Sequence, residues 1–493
     1  MWRPPNSSKH AIPGTAWPTA LDAQRSALFS PLSVGRLQLN QRTWVPAMVP
    51  WRATETGEVT DSVVDWYARF ARGRPGAIVV EATGVRDIPS GPLLRIGHDR
   101  YVPGLKRIVD AVKDASDGET QLFIQLIDFL ALKRRPKPQT YFERFLRIGD
   151  HHRKRLSDAL GDLCWLEATE DAVRACLIEQ PDHVLEQCLT TRELSDLRFG
   201  YRERIDDFQH EHIRTLPHVL PQKFADAAAR AEAAGFHGVE LHYAHAYTMA
   251  SFLSPTNQRT DGYGGRLDER LRCPTEVYQA VRQRVGDGFA VGCRFLVDEV
   301  IEGGFDADES VQIGQHFAQL GMDFLSLSKG GKFDDAKQPH IGQAVYPYTG
   351  RSGYECMPTV YSDSQGPFYR NIEAMAQVKS AILAAGFDTP VIVAGGINDF
   401  QKSEALLQAG QADVIASARQ SLADPDWFLK MKTGQGRTIR RCKYTNYCEA
   451  LDTRHKEVTC QLWDRVNIRE PGVKCSHDGK RRLTAPDWPT PLL

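Results

Sequence analysis

The 493-residue sequence predicts an α/β fold: a (β/α)8 TIM barrel with a long insertion after its third strand and a cysteine-containing C-terminal extension. Three observations predict it. Eight short runs rich in aliphatic and β-branched residues recur along the chain. Most are separated by stretches such as PGLKRIVDAVKDA and NIEAMAQVKSAILAAG, whose apolar residues return every three or four positions, the spacing of a helix with one buried face. The runs are mostly apolar, which is how parallel strands covered on both faces read.

Residues 1–27 are rich in proline and serine, lack periodicity, and read as a surface arm. The barrel domain spans 28–435. Its first three strands are TWVPAM (43–48), GAIVVEATGV (76–85) and QLFIQLI (121–127). An insertion, 132–220, follows; it opens KRRPKPQTYFERFLRIGDHHRKR and continues through helical EDAVRACLIEQ and DHVLEQCL. A long loop over the catalytic face of a barrel is typically a lid or a contact surface. Its basic opening is followed at once by acidic residues, so it reads as a solvated face rather than a nucleic-acid patch. GVELHYA (238–244), FAVGCRFL (289–296), DFLSLS (323–328), PVIVAGG (390–396) and ADVIASA (412–418) complete the set, and 436–493 leaves the pattern. A barrel fixes the address of its chemistry at the carboxyl ends of the strands, with phosphate usually held after the seventh and eighth.

Lys+Arg 61 against Asp+Glu 62 gives a formal net charge of -1, which offers no electrostatic footprint for nucleic acid or an anionic membrane. Small molecules are the expected partners. No apolar stretch approaches the roughly 20 residues that span a bilayer, and MWRPPNSSKHAIPGTAWPTA lacks the apolar centre of a secretory signal, so a cytoplasmic location is expected. Ten cysteines are too dilute for a disulfide scaffold, yet Cys442, Cys448, Cys460 and Cys475 crowd the last tenth of the chain.

The stretch ELHYAHAYTMASFLSPTNQRTDGYGGRLDERLR places His242 and His245 three residues apart where the fourth run gives way to a polar loop. By itself such a pair fits two core or surface histidines as well as it fits a site. A zinc-protease motif would need an intervening Glu and a helix. At the mouth of a barrel, two imidazoles can hydrogen-bond one substrate carbonyl, each bond to a charged group contributing about 1.5–3 kcal/mol.

That stretch resembles the fourth-strand motif of the old yellow enzyme family of FMN-dependent ene-reductases: H-x-A-H-G-Y, then phenylalanine-leucine-serine-proline and an R-T-D-x-Y-G-G loop. The resemblance runs from Leu28 to Lys432. It implies that His242 and His245 bind the activating oxygen of the substrate and that Tyr247 donates a proton. By the same resemblance Pro46, Ala47 and Met48 lie against the flavin ring, with Ala82 beside it, and the Gln125 amide both donates to and accepts from the pyrimidine. Arg294 in GCRF matches the arginine near flavin N1 and O2, where a fixed cation favours the anionic reduced flavin. AGGI and ASAR match two phosphate turns: Gly395 and Gly396 allow close backbone approach, Ala418 stands where the family usually has glycine, and Arg419 offers a two-pronged grip.

The departures carry information. Asp128 and FLAL follow Gln125 where the family commonly has leucine, any residue, histidine. Val49 replaces a flavin-touching cysteine or threonine, and Trp51 falls where some relatives place a substrate-facing tyrosine. An atypical substrate preference follows. The tail resembles the segment with which dienoyl-CoA reductases and trimethylamine dehydrogenases hold a [4Fe-4S] cluster. Cys442, Cys448 and Cys460 match the first, third and fourth ligands, but Thr445 stands in second place. Three outcomes stay open: a cluster on three thiolates, a structural metal such as zinc recruiting Cys475, His455 or His477, and a metal-free remnant. The sequence also ends before the nucleotide-binding domains those relatives carry, so NAD(P)H is expected to reduce the flavin in the barrel mouth.

The implied activity is reduction of the C=C bond of α,β-unsaturated carbonyl compounds by ping-pong hydride transfer through FMN. Two alternatives remain: a flavin-dependent N-demethylase or amine dehydrogenase, which needs no oxyanion pair, and a non-catalytic flavin-binding scaffold. Barrels of this family often associate, so a homo-oligomer fits the resemblance; no residue decides it.

Overall fold

The computed structural model describes residues 3–88, 91–133, 137–336 and 346–488. Eight parallel strands close a barrel: β1 (Thr43–Val45), β2 (Ala77–Gly84), β3 (Gln121–Ile127), β4 (Gly238–Tyr243), β5 (Ala290–Leu296), β6 (Leu325–Ser328), β7 (Val391–Val393) and β8 (Val414–Ala416). Each lies inside one of the eight apolar runs. The runs overshoot the strands at their carboxyl ends, where residues such as 46–48 and 394–396 turn out of the ladder to form the mouth. Helices α1 (Asp61–Ala71), α2 (Val102–Ala115), α3 (Leu216–Ala234), α4 (Leu267–Val285), α5 (Ala307–Gln319), α6 (Ile372–Ala384), α7 (Phe400–Gln408) and α8 (Ala418–Ala423) follow the strands in turn.

The amino end of the barrel is a packed floor. Trp44, Phe123 and Phe324 meet inside it, with ring centroids 4.8 Å apart for Trp44–Phe123 and 5.4 Å for Phe123–Phe324. Small neighbours make the room: a Cβ on Gly292 would meet the Phe324 ring at 2.5 Å, and one on Gly238 would meet Phe123 at 2.7 Å. Large and small residues interdigitate in this way to fill a barrel of this size. The floor shuts one end, and the chemistry is left to the other.

The insertion is a compact unit of its own, its main body Leu130–Arg204. It ends sooner than the sequence suggests: 205–220 belongs with the barrel, because Leu216 and Leu220 are buried as the first turns of α3. Its short helices bury Tyr141, Phe142, Leu156, Val173, Leu177 and Cys188 together. His151, His152 and Glu193 bring three ligand atoms within 4.8 Å of one another there. The Gly149 amide donates to His152 Nδ1 at 3.0 Å, which leaves the His152 proton on Nε2, 3.2 Å from Glu193. That nitrogen therefore faces the carboxylate as a donor, and the trio reads as a structural pair rather than a metal centre.

The first 27 residues do not behave as a free arm. Thr19 and Asp22 form a capping box that starts a helix over Ala20–Arg25, and Ser8–Lys9 pairs antiparallel with Tyr361–Ser362. The tail is likewise docked. Arg52 donates to the Val458 and Leu483 carbonyls, Trp463 Nε1 to Leu422 O at 2.9 Å, and Arg69 to the Ala485 and Pro486 carbonyls. Among the described residues no helix is long and apolar enough to cross a membrane.

Candidate active site

Inside a barrel strand, residues two apart share a face, so β4 points both Glu240 and His242 inward. Arg294 on β5 lies in register with His242 on one side and Ser326 on the other. Beyond the strand end the chain turns sharply: His245 and Ala246 are both left-handed, φ 58° and 68°. The turn folds His245 back over His242, and the buried rings sit edge to face with centroids 5.3 Å apart. Tyr247 begins the next short helix with its ring 5.5 Å from that of His242 and 5.2 Å from that of Phe129.

A chain of contacts runs through the pair. The Ala244 amide donates to His242 Nδ1 at 3.4 Å, His242 Nε2 faces His245 Nδ1 at 3.4 Å, and His245 Nε2 lies 2.8 Å from Ser328 Oγ. Burial, reinforced by the Arg294 charge, pushes His242 down to about 3 and His245 well below its ordinary value. Both imidazoles are therefore neutral at physiological pH. Each can donate one N–H to a developing oxyanion without itself losing a charge.

The groups expected to hold a flavin come together. Gln125 donates to Glu240 at 2.5 Å, which leaves its carbonyl oxygen as an acceptor; burial raises the Glu240 carboxyl, opposed by Arg294. Arg294 Nη1 is buried with no hydrogen-bond partner, an orphan donor at the mouth. Pro46, Ala47 and Met48 follow β1 directly, and Ala82 sits at a bulge where the β2–β3 register shifts between Val80 and Thr83, a device that re-aims side chains at barrel rims. On the phosphate side Gly395 and Gly396 have φ of 127° and 72°, and a Cβ on Gly396 would meet Pro367 O at 2.1 Å. Ser417 Oγ donates to Ile397 O at 2.7 Å and locks the two turns together. Ala418 needs no glycine, since it is the first helical residue of α8 rather than left-handed. Arg419 commits Nη1 to Pro358 O and Asn446 Oδ1 and lies 4.6 Å over the Tyr444 ring, so its grip on phosphate falls to its other nitrogens. An orphan guanidinium nitrogen and a glycine cradle fit a flavin mononucleotide.

Two departures find their explanation here. Asp128 is fully buried and pairs with Arg86 through both oxygens, so this corner holds an ion pair. Trp51, at φ 54°, is pinned by the tail: it stacks on His455 at 3.7 Å and donates to Asp452 at 2.5 Å. Sequence reasoning missed the residues around it. Tyr348 lies near His245, with ring centroids 5.7 Å apart, and near Tyr247, Cys356, Asp452 and Glu449. Burial and the neighbouring Asp452 push Glu449 far up. Only Glu240 and Ser328 carried a signal, being inward positions of recognised strands.

Cys442 and Cys460 pack with Val360, Ala423 and Tyr444, and the Cys448 thiol is pushed up by burial and by both other cysteines. Thr445 Oγ1 accepts from Gln461 at 2.5 Å, and Cys475 instead faces the Ile468 and Val473 carbonyls. Iron–sulfur clusters are held by four thiolates. Three thiols and a hydrogen-bonded threonine do not fit that set. The cysteines and histidines of the tail also form no group of three ligand atoms within 4.8 Å among the described residues, whereas zinc at about 2.3 Å from each sulfur would need one.

Residues 27–129 and 218–437 match the family model described as the NADH:flavin oxidoreductase / NADH oxidase family. An NADH oxidase of Thermoanaerobacter brockii is 28% identical over 422 residues, 84% of this chain and 52% of that protein. An NADPH dehydrogenase of Bacillus subtilis is 26% identical over 404 residues, 81% of this chain and 92% of that one. The histamine dehydrogenase structure from Rhizobium sp. 4-9 superposes with a TM-score of 0.61 at 22% identity, over 89% of this chain and 52% of that one, a likeness of fold. The chain spans about half the length of the first curated relatives it matches.

Proposed function

Because the chain belongs to the NADH:flavin oxidoreductase / NADH oxidase family, the family of the old yellow enzymes, we propose that it uses FMN and NAD(P)H to reduce the C=C bond of an α,β-unsaturated carbonyl compound. The observation that carries this reading is the pair of buried, neutral imidazoles facing one another at 3.4 Å above Arg294. FMN, when bound, supplies hydride transfer between the nicotinamide and the substrate. Gln125 and Arg294 would hold its pyrimidine edge; Gly395, Gly396, Ala418 and Arg419 would hold its phosphate.

His242 and His245 take the substrate oxygen as a shared acceptor and polarise the conjugated bond, so that the β-carbon becomes electrophilic. Their neutrality matters. A neutral N–H strengthens its bond as negative charge grows on oxygen, without the cost of burying a cation. Tyr247 holds a proton for the α-carbon, and Phe129 and His242 fix its ring. His242→Ala should lower kcat/KM for an enone such as cyclohexenone by about 10²–10³, the loss of one oxyanion donor, while flavin content stays unchanged. Undiminished turnover by the flavin-loaded variant would refute the role.

A second reading draws on Trp51, Tyr348 and Asp452, Glu449 being held neutral by burial. Aromatic faces beside carboxyl groups suit a cation, and this corner favours an amine oxidised at its C–N bond. Anaerobic assays separate the two: enone with NADPH against a tertiary amine with an artificial electron acceptor. Asp452→Asn should weaken only the amine reaction.

A further inference from the structure

Ser328 closes the contact chain on the far side of His245. Its Oγ lies 2.8 Å from His245 Nε2, and the residue is buried. The directions of the bonds can be followed from one fixed end. An amide can only donate, so the Ala244 N–H makes Nδ1 of His242 an acceptor and leaves the His242 proton on Nε2. With no substrate present, that N–H points at His245 Nδ1, which must then be the acceptor. His245 carries its own proton on Nε2, and donates it to Ser328.

A carbonyl oxygen held by both histidines demands a different arrangement. His242 already offers Nε2–H. His245 must offer Nδ1–H, because Nδ1 is the nitrogen that faces its partner, and its Nε2 must become an acceptor. Only a group that both donates and accepts can face Nε2 in both states. A serine hydroxyl does so by rotating. No net charge is gained: as the ligand enters, solvent takes the proton from Nε2 and delivers one to Nδ1, and the hydroxyl turns from acceptor to donor.

We propose that Ser328 is a positioning residue that selects the tautomer of His245, accepting from Nε2–H in the resting enzyme and donating to a bare Nε2, with the proton on Nδ1, when a carbonyl binds. This rests on the ene-reductase reading above. The exchange keeps the two-donor site from confronting an empty pocket with two unsatisfied N–H groups.

The test is ¹⁵N NMR of histidine-labelled, flavin-loaded protein, with and without cyclohexanone as a carbonyl ligand that cannot be reduced at a C=C bond, alongside steady-state kinetics with cyclohexenone. The wild type should show His245 protonated at Nε2 alone and at Nδ1 with the ketone. Ser328→Ala should lose the exchange and raise the KM for cyclohexenone on the order of tenfold, the effect of one hydrogen bond; Ser328→Thr, which keeps the hydroxyl, should restore both. Equal flavin content and melting temperature establish that the variants are folded. His245 on the same nitrogen in both wild-type states, or an exchange that survives in Ser328→Ala, overturns the proposal even if cyclohexenone is turned over. A wild type that holds flavin but neither binds the ketone nor reduces the enone overturns the ene-reductase reading, and the switch with it.

Discussion

At the scale of the residue, the site is made by backbone conformations that side chains alone do not announce. His245 reaches back over His242 only because it and Ala246 take left-handed φ values of 58° and 68°. The family motif has glycine at the second of these positions, and here a methyl group is forced into the same turn. An L-residue in that region costs about 1–2 kcal/mol, while exchanging alanine for glycine adds unfolded-state entropy of about 0.4–1 kcal/mol. Strain relief wins by a small margin. Ala246→Gly should therefore raise the urea midpoint, by stability on the order of 0.5 kcal/mol, and equilibrium unfolding with intact flavin binding checks it; a lowered midpoint would mean that the turn is not strained. The same residues show what was legible in the sequence. His242, His245 and Tyr247 could be found because a strand end gives them an address, whereas Tyr348 and Glu449 stand outside any strand and are brought to the site by loops whose course no periodicity encodes.

At the scale of the element, all eight strands were readable because burial on both faces writes a largely apolar run, and a run needs no partner to be recognised. Their ends were less readable, since residues such as 46–48 stay apolar after leaving the ladder. The N-terminal helix escaped notice for a different reason: Thr19 and Asp22 supply its cap, but it has only six residues and buries only Ala23, so no amphipathic stripe advertises it. The tail poses the sharper question. Its three thiols lie near one another, and Thr445, in the place of the missing ligand, is already bonded to Gln461. The purified protein should therefore carry flavin without stoichiometric iron. Thr445→Cys, reconstituted anaerobically with iron and sulfide, should take up about four irons per chain and gain the broad visible absorbance of a cluster. Stoichiometric iron in the unmodified protein would instead show that three cysteines suffice.

At the scale of the whole molecule, the chain is two compact units, each with its own core. The barrel unit recruits its tail to the mouth: Asn446 braces Arg419 at the start of α8, and Asp452 and His455 clamp Trp51 just past the end of the first strand. A tail that fixes both Arg419 and Trp51 has a structural part in the barrel mouth whether or not it binds metal. The second unit has a different vulnerability. Glu193 is raised by burial, but the nearby His152 and hydrogen bonds from the Thr190 amide and hydroxyl outweigh that and bring it down to about 2. Its folded value thus lies below the ordinary 4.5, so the unfolded chain binds the proton more tightly. The stabilisation is complete above about pH 4.5 and is lost as the pH falls toward 2. Acid should therefore loosen the helices at 150–199 over that range. Amide hydrogen exchange on the intact protein, followed from pH 6 to 3 and corrected for intrinsic rates, should show protection falling there. In Glu193→Gln the starting protection should be lower and its acid slope flatter, because the group that linked protons to folding is gone. An unchanged slope in that variant would assign the acid sensitivity to other carboxylates.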